Sequence, residues 1–202
     1  MMLRKASAAF ALVFLAGASV IGFSVSCTPP DKDRVTEVIN PDFAIYKDNV
    51  DPYLARRCGT LDCHGQAGRG YRIYSREGFR DYTLADGSLV SGQQPTENEE
   101  RRANFFALIG VEPEQFNRVM ATQGSDEELA KWVVLRKAQQ LERHKGGAAM
   151  AADDPGYRCV RAWLQVAVVK PDQDGFPVPI PPNERVFSQR DKDFCALAAS
   201  YP

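Results

Sequence analysis

The chain has 202 residues, of which 44% are apolar, and its 25 basic and 26 acidic residues nearly cancel. The length suits one globular domain with a core. No basic run or interleaving of aromatic and basic residues appears, so nothing favours nucleic-acid binding.

The first 26 residues have the layout of a secretion signal. Arg4 and Lys5 precede an uncharged, mainly apolar run from Ala6 to Val25. A cationic start followed by such a run predicts export. The run approaches the ~20 residues of a transmembrane helix, so an uncleaved anchor is an alternative.

The end of this run resembles a bacterial lipobox. Small residues, Ser24-Val25-Ser26, precede Cys27, although Ser24 stands where that pattern has an aliphatic residue. The resemblance implies a signal peptide over 1–26 and a lipid on Cys27, which anchors the protein on the periplasmic side of a membrane. Thr28 implies the outer membrane, by resemblance to Gram-negative sorting. The alternative is an ordinary signal peptide cut nearby.

Removing the leader leaves a chain of about 175 residues with a net charge near −3, because Arg4 and Lys5 are lost. Residues 27–41 are predicted to form a polar tether, 42–170 a helical domain, and 171–202 a Pro-rich segment with a closing helix. If Cys27 carries lipid, four of the five cysteines remain, an even number that suits an oxidising compartment.

The domain is predicted to be mainly α-helical. Its first helix has apolar residues at helical spacing from Phe43 to Leu54, and Pro52 is expected to break it in two. From 65 to 92 the chain is rich in glycine and predicts a long loop, with a short extended segment over 71–74.

Four further helix starts can be read from capping patterns. Thr96 with Glu99 predicts one start, and Pro113 another. Ser125 with Glu128 predicts a helix that runs through Trp132 towards Leu135. The last start is Asp153 or Asp154, followed by Pro155.

After residue 170, closely spaced prolines are expected to exclude regular secondary structure until a helix over 191–198. Cys159 and Cys195 lie on amphipathic helices at either end of this segment. We predict a structural disulfide between them, worth ~3 to 4 kcal/mol.

The strongest chemical motif is Cys58-Gly-Thr-Leu-Asp-Cys63-His64. Two cysteines followed directly by histidine are used to attach haem covalently: the thiols add to its vinyl groups and the imidazole binds iron. The usual spacing has two residues between the cysteines, whereas this chain has four. That wider spacing also suits a local Cys58–Cys63 disulfide.

These features resemble the small c-type cytochrome domains of bacterial periplasmic proteins, over about 43–164. The resemblance rests on the motif ending in His64, on His144-Lys145-Gly146-Gly147, and on a terminal helix with Trp163, an order similar to planctomycete-type cytochrome domains. It implies haem c on Cys58, Cys63 and His64. His64 and His144 are the only histidines, so His144 is the expected second iron ligand and Met150 its rival.

Other interpretations of the motif remain. A zinc site could use Cys58, Cys63, His64 and His144, which are the right ligand types. His64 could merely cap a turn, and His144 could belong to the solvent-exposed basic stretch 136–145. Met120 is expected in the core. Two groups of arginines are candidates for haem carboxylate contacts or for a solvated surface. They are Arg56 with Arg57, and the series Arg69, Arg72, Arg76 and Arg80.

We therefore expect a membrane-anchored, c-type cytochrome-like carrier of single electrons rather than a catalyst, with an unidentified redox partner protein. The alternative is a haem-free envelope lipoprotein, stapled by Cys58–Cys63 and Cys159–Cys195, that acts as a binding or assembly module.

Overall fold

The computed structural model describes residues 38–80, 83, 87–88, 94–174 and 177–200. They belong to one compact unit that begins at Val38. The predicted signal peptide, the lipidation site at Cys27 and most of the tether lie outside the described residues. Among the described helices, none has the length and apolar character needed to cross a membrane.

The mainly α-helical fold predicted from the sequence is confirmed. The first helical run contains α1 (Phe43–Ile45), a π-helical turn (Tyr46–Val50) and α2 (Asp51–Cys58). The predicted break at Pro52 was wrong. Because Pro52 lies in the first turn of α2, where a missing N–H costs little, the run continues through a wide turn.

Helix α3 spans Asn98–Ile109, and its start lies one residue later than predicted. Glu97, not Thr96, is the N-cap, and the Glu100 carboxylate accepts a hydrogen bond from the Glu97 N–H at 2.9 Å. Glu100 is buried and also forms a two-pronged ion pair with Arg80, at 2.7 and 2.8 Å. Arg80 therefore holds the Gly-rich loop against α3, which was not expected.

Helix α4 spans Pro113–Ala121 and begins at the predicted proline. The next predicted helix is in fact two, α5 (Asp126–Lys131) and α6 (Val133–Ala138), separated by an extended Trp132. Trp132 is fully buried against Phe116, with ring centres 5.3 Å apart. The Glu112 carboxylate accepts from the Val133 N–H at 2.9 Å, so a side chain replaces the helical bond that the break removes.

Helix α7 spans Pro155–Leu164, and Asp154 is its N-cap. Helix α8, Gln189–Ser200, is longer than predicted and packs along α7. The predicted Cys159–Cys195 disulfide joins them and is buried, which confirms that pairing.

The Pro-rich segment does contain regular structure, contrary to prediction. Strands β1 (Val169–Pro171) and β2 (Pro177–Pro179) pair antiparallel, and a 3₁₀ turn follows at Pro182–Glu184. Prolines are tolerated here because a two-stranded sheet has only edge strands, whose outer N–H positions need no partner.

The core forms where α7 crosses the first helical run. Trp163 is fully buried, contacts Tyr46 and Phe105, and donates from its indole N–H to the Asp42 carbonyl at 2.9 Å. Met120, expected in the core, is buried there.

A buried polar network joins α2 and α3. Asp51 is 1% exposed, and its Oδ1 accepts from Asn104 at 2.9 Å and from the Tyr46 hydroxyl at 3.2 Å. Its Oδ2 has no hydrogen bond among the described residues and lies 3.8 Å from Arg101. Burial outweighs these partners and raises the pKa of Asp51 to about 6.

Breaking the disulfide should destabilise the fold without affecting its cleft chemistry. Replacing Cys159 and Cys195 together by serine releases a loop with a sequence separation of 36. We expect the free energy of unfolding to fall by about 4 kcal/mol, measured by urea denaturation. A chemically reduced wild-type protein should show the same loss, and an unchanged midpoint in both would contradict a stabilising role.

Asp51 should make stability depend on pH. Because the folded protein keeps this proton to a higher pH than the unfolded chain, the free energy of unfolding falls as pH rises from 4 to 6. Asp51→Asn should remove about 2 to 3 kcal/mol of this dependence. Urea titrations of both proteins at several pH values test it; parallel pH profiles would refute the buried-carboxylate origin.

Candidate functional site

The cysteine–histidine motif forms a tight loop at the end of α2. Gly59 ends the helix, and the Cys63 N–H donates to the Thr60 carbonyl at 3.0 Å. The His64 N–H then reaches back to the Cys58 carbonyl at 2.8 Å. The loop therefore brings Cys58, Cys63 and His64 to one edge of the domain.

The loop depends on close backbone packing at Gly65. A Cβ at Gly65 would lie 1.9 Å from the Gly59 carbonyl oxygen, which is far inside van der Waals contact. The same oxygen accepts from the Ser75 hydroxyl at 2.6 Å. Only glycine at position 65 lets the chain after His64 pass this carbonyl.

The His64 imidazole is oriented by the Gly-rich loop. Its Nδ1 lies 2.8 Å from the Tyr71 carbonyl oxygen, and the centres of the His64 and Tyr71 rings are 4.9 Å apart. The Ile73 N–H donates to the His64 carbonyl at 2.9 Å. Because a carbonyl oxygen can only accept, Nδ1 carries the proton, and the lone pair of the neutral ring is on Nε2.

His144 is held in the same way by a different segment. Its Nδ1 lies 2.9 Å from the Gly147 carbonyl oxygen, so Nε2 is again the nitrogen with the lone pair. Its ring centre lies 6.1 Å from that of His64, and the two planes differ by only 13°. The structure thus brings together two half-buried histidines that are 80 positions apart in sequence.

A cleft meets the histidine pair, and one of its lobes is mainly apolar. This apolar lobe has a volume of about 350 Å³. Cys58, Cys63, His64 and His144 all line it, together with Met150. The aliphatic part of its wall is formed by Leu54, Val111, Val133, Val134, Ala138 and Ala149.

The second lobe, called the polar lobe because charged side chains line it, has a volume of about 520 Å³. Cys63, both histidines, Lys137 and Gly146 line both lobes, so the two meet at the histidine pair. The other residues of the polar lobe are charged: Asp62, Arg69, Arg143 and Lys145.

The two cysteines of the motif are free thiols. The Cys58–Cys63 disulfide considered from the sequence is therefore absent. Burial raises the pKa of Cys58 to about 12, and the neighbouring Cys63 adds to this shift, so Cys58 is a neutral thiol at pH 7.

Burial also lowers the pKa of His64, and nearby His144 and Arg69 lower it further, whereas the hydrogen bond to Tyr71 opposes this. His64 is therefore biased towards the neutral imidazole, the form that binds metals. The structure supports a zinc site less well. Within the described ranges, no three histidine, cysteine, aspartate or glutamate side chains converge on a position for one ion.

Of the arginines considered for anion contacts, only Arg69 lines the polar lobe. Arg57 lines the apolar lobe and donates to the Ala149 carbonyl at 3.2 Å, which ties α2 to the segment after His144. Arg72 stacks on Tyr74 and Phe79, and Arg80 pairs with Glu100.

Several lining residues were not predicted from the sequence. Tyr71 was recognised only as part of an extended segment, although its carbonyl orients His64. Val133 and Val134 reach the cleft because the helix is interrupted at Trp132. No sequence signal identified these valines as a cavity wall, because the sequence predicted an uninterrupted helix there.

A substitution at Gly65 should disrupt the motif loop. Gly65→Ala places a methyl group against the Gly59 carbonyl, and we expect a loss of about 1 to 3 kcal/mol in the free energy of unfolding. Gly70→Ala is the matched control, because a Cβ there meets nothing within 4 Å. Urea denaturation compares the two; equal stability of both variants would show that the close approach is not required.

Comparison with known proteins finds no counterpart: no family model, no curated protein and no solved structure matches the chain. The function of the cleft is therefore inferred from its own residues and geometry.

Proposed function

We propose that the cleft holds a haem attached through Cys58 and Cys63, with His64 and His144 as iron ligands, and that the protein carries single electrons. The observation that carries this proposal is the histidine pair. The two rings are nearly parallel, 6.1 Å apart, and each has its Nδ1 occupied by a backbone carbonyl.

The separation of the rings suits two ligands of one iron ion. A first-row metal ion lies about 2 Å from an imidazole nitrogen, so the centres of two imidazoles on opposite sides of it are about 6 Å apart. Carbonyl partners on Nδ1 are also the usual means by which proteins orient metal-binding histidines.

The two lobes of the cleft match the two edges of a haem. One edge of the porphyrin carries the vinyl groups and is apolar; the other carries two carboxylates. Cys58 lies in the apolar lobe and Cys63 at the junction of the lobes, so both thiols are available where the vinyl edge would lie. Their free state also supports the proposal, because thioether formation needs thiols.

A bound haem would supply a centre that gains and loses one electron. The residues of this chain would bind and orient it, and the aliphatic wall of the apolar lobe would exclude water from one side. Two imidazole ligands favour a lower reduction potential than histidine with methionine. Met150 also lines the apolar lobe and is the alternative second ligand.

The location of the protein is part of the proposal. A lipid on Cys27 would anchor the protein on the periplasmic side of a membrane. Thr28 after it favours the outer membrane. Covalent haem attachment and the Cys159–Cys195 disulfide both suit that compartment. Its redox partner would be another protein.

Expression with a covalent haem-attachment system tests the proposal. The purified full chain should be red, show a Soret band, and gain the mass of one haem that survives denaturation. Cys58→Ser with Cys63→Ser should abolish the covalent mass gain, whereas Leu61→Ser, an exposed position in the same loop, should keep it. A colourless wild-type protein would refute the proposal.

The second candidate is a haem-free envelope lipoprotein that serves as a binding or assembly module. It is favoured by the Cys159–Cys195 bridge, which staples α7 to α8 and lines neither lobe of the cleft. Folded, colourless protein that retains the Cys159–Cys195 bridge would support it.

A further inference from the structure

Three cations of the polar lobe have no ion-pair partner among the described residues. Arg69 comes from the Gly-rich loop, whereas Arg143 and Lys145 flank His144. Among the described residues, no carboxylate forms an ion pair with any of these three. Lys137, which lines the same lobe, differs: it pairs with Glu142 at 2.7 Å.

The charge of this lobe is strongly one-sided. Asp62 is the only acidic residue that lines it in the described part of the chain, against Arg69, Lys137, Arg143 and Lys145. By contrast, Arg136 on α6 is compensated by Glu112 and Glu142. An anion placed in this lobe would therefore be attracted from two separate chain segments.

The position of the cations identifies the anion. They lie in the lobe that meets the apolar lobe at His64 and His144, and Cys58 belongs to the apolar lobe alone. A ligand that occupies both lobes must be apolar at one end and anionic at the other. An acidic partner protein would account for the cations but not for their continuity with the apolar lobe.

We propose that Arg69, Arg143 and Lys145 hold the two carboxylates of the porphyrin, and so set the direction in which it enters the cleft. This inference rests on the proposed function and adds the orientation of the ligand. The three side chains are exposed, so they bind the carboxylates at the mouth of the cleft while both imidazoles lie deeper. Their charge would also stabilise the reduced, less positive iron.

Reversible binding of a modified porphyrin tests the proposal. Mesohaemin has ethyl groups in place of vinyls, so it cannot form thioethers with Cys58 or Cys63, and its dimethyl ester lacks the carboxylate charges. The full chain, purified without haem, is titrated with mesohaemin and, separately, with the dimethyl ester. Binding is measured from the absorption spectrum of the low-spin complex.

The test variant is Arg69→Gln, Arg143→Gln, Lys145→Gln. Three exposed ion pairs predict about tenfold weaker binding of mesohaemin to it. The dimethyl ester should bind the wild-type chain and the variant alike.

The matched control is Arg56→Gln, Arg76→Gln, Lys192→Gln, which removes the same charge from exposed positions that line neither lobe. It should bind mesohaemin as the wild type does. A second measurement uses covalently loaded protein, in which the test variant should have a lower reduction potential than the control.

The outcomes separate this inference from the proposed function. If mesohaemin gives a low-spin spectrum but the test and control variants bind it equally, the carboxylate assignment is wrong and the haem cleft stands. An equal loss for mesohaemin and its ester would also overturn the assignment, because the loss would not depend on the carboxylates. If no chain gives a low-spin spectrum, both proposals fail.

Discussion

The amide side chain of Asn104 is the interaction on which the cleft depends. It accepts from the Tyr74 N–H at 2.7 Å and donates to the Tyr74 carbonyl at 2.9 Å, as a neighbouring strand would. The same amide nitrogen donates to Asp51 at 2.9 Å. One fully buried side chain thus links α2, α3 and the Gly-rich loop, which has no helix or sheet of its own in this region.

The position of His64 follows from that link. With Tyr74 held, the preceding residues run past the motif loop, and Ile73 and Tyr71 can bond to the backbone and ring of His64. A loop rich in glycine would otherwise have many conformations, and its Tyr71 carbonyl would not be preorganised. A buried polar group that is fully bonded specifies one arrangement, because each alternative leaves Tyr74 groups unsatisfied.

His144 is positioned by a second, independent set of hydrogen bonds. The chain after α6 turns back so that the Ala138 carbonyl accepts from the N–H groups of both Ala149 and Met150, at 2.9 and 3.1 Å. Arg57 adds a bond from α2 to Ala149. The two histidines are therefore fixed by separate loops on a common helical frame, which is how a site can be held before its ligand arrives.

The energetic cost of this frame is concentrated at Asp51. A carboxylate with one oxygen lacking a hydrogen bond is unfavourable in the interior, and the raised pKa expresses that cost. The same carboxylate accepts hydrogen bonds from Asn104 and Tyr46 and so fixes their positions. Asp51 therefore lowers the stability of the fold but holds its neighbours in place. The disulfide between α7 and α8 offsets part of this cost.

Local sequence patterns determined the helical class, the starts at Pro113 and Asp154, and the Cys159–Cys195 pair, because capping and apolar spacing depend on near neighbours. They also singled out Cys58, Cys63, His64 and His144. The helix boundaries were predicted wrongly where tertiary contacts opposed the local pattern. Burial of Trp132 interrupted a helix that its sequence could have continued, and a π-helical turn accommodated Pro52.

Only the tertiary structure decided what those residues do together. The separation and alignment of the histidine rings, the free state of the two thiols, and the sorting of cations into one lobe depend on contacts between segments far apart in the chain. Arg69 and Arg80 look alike in sequence, yet one lines a cleft and the other is buried against Glu100. Spacing in sequence carries no information about such distances, because loops of variable path connect the elements that bring these groups together.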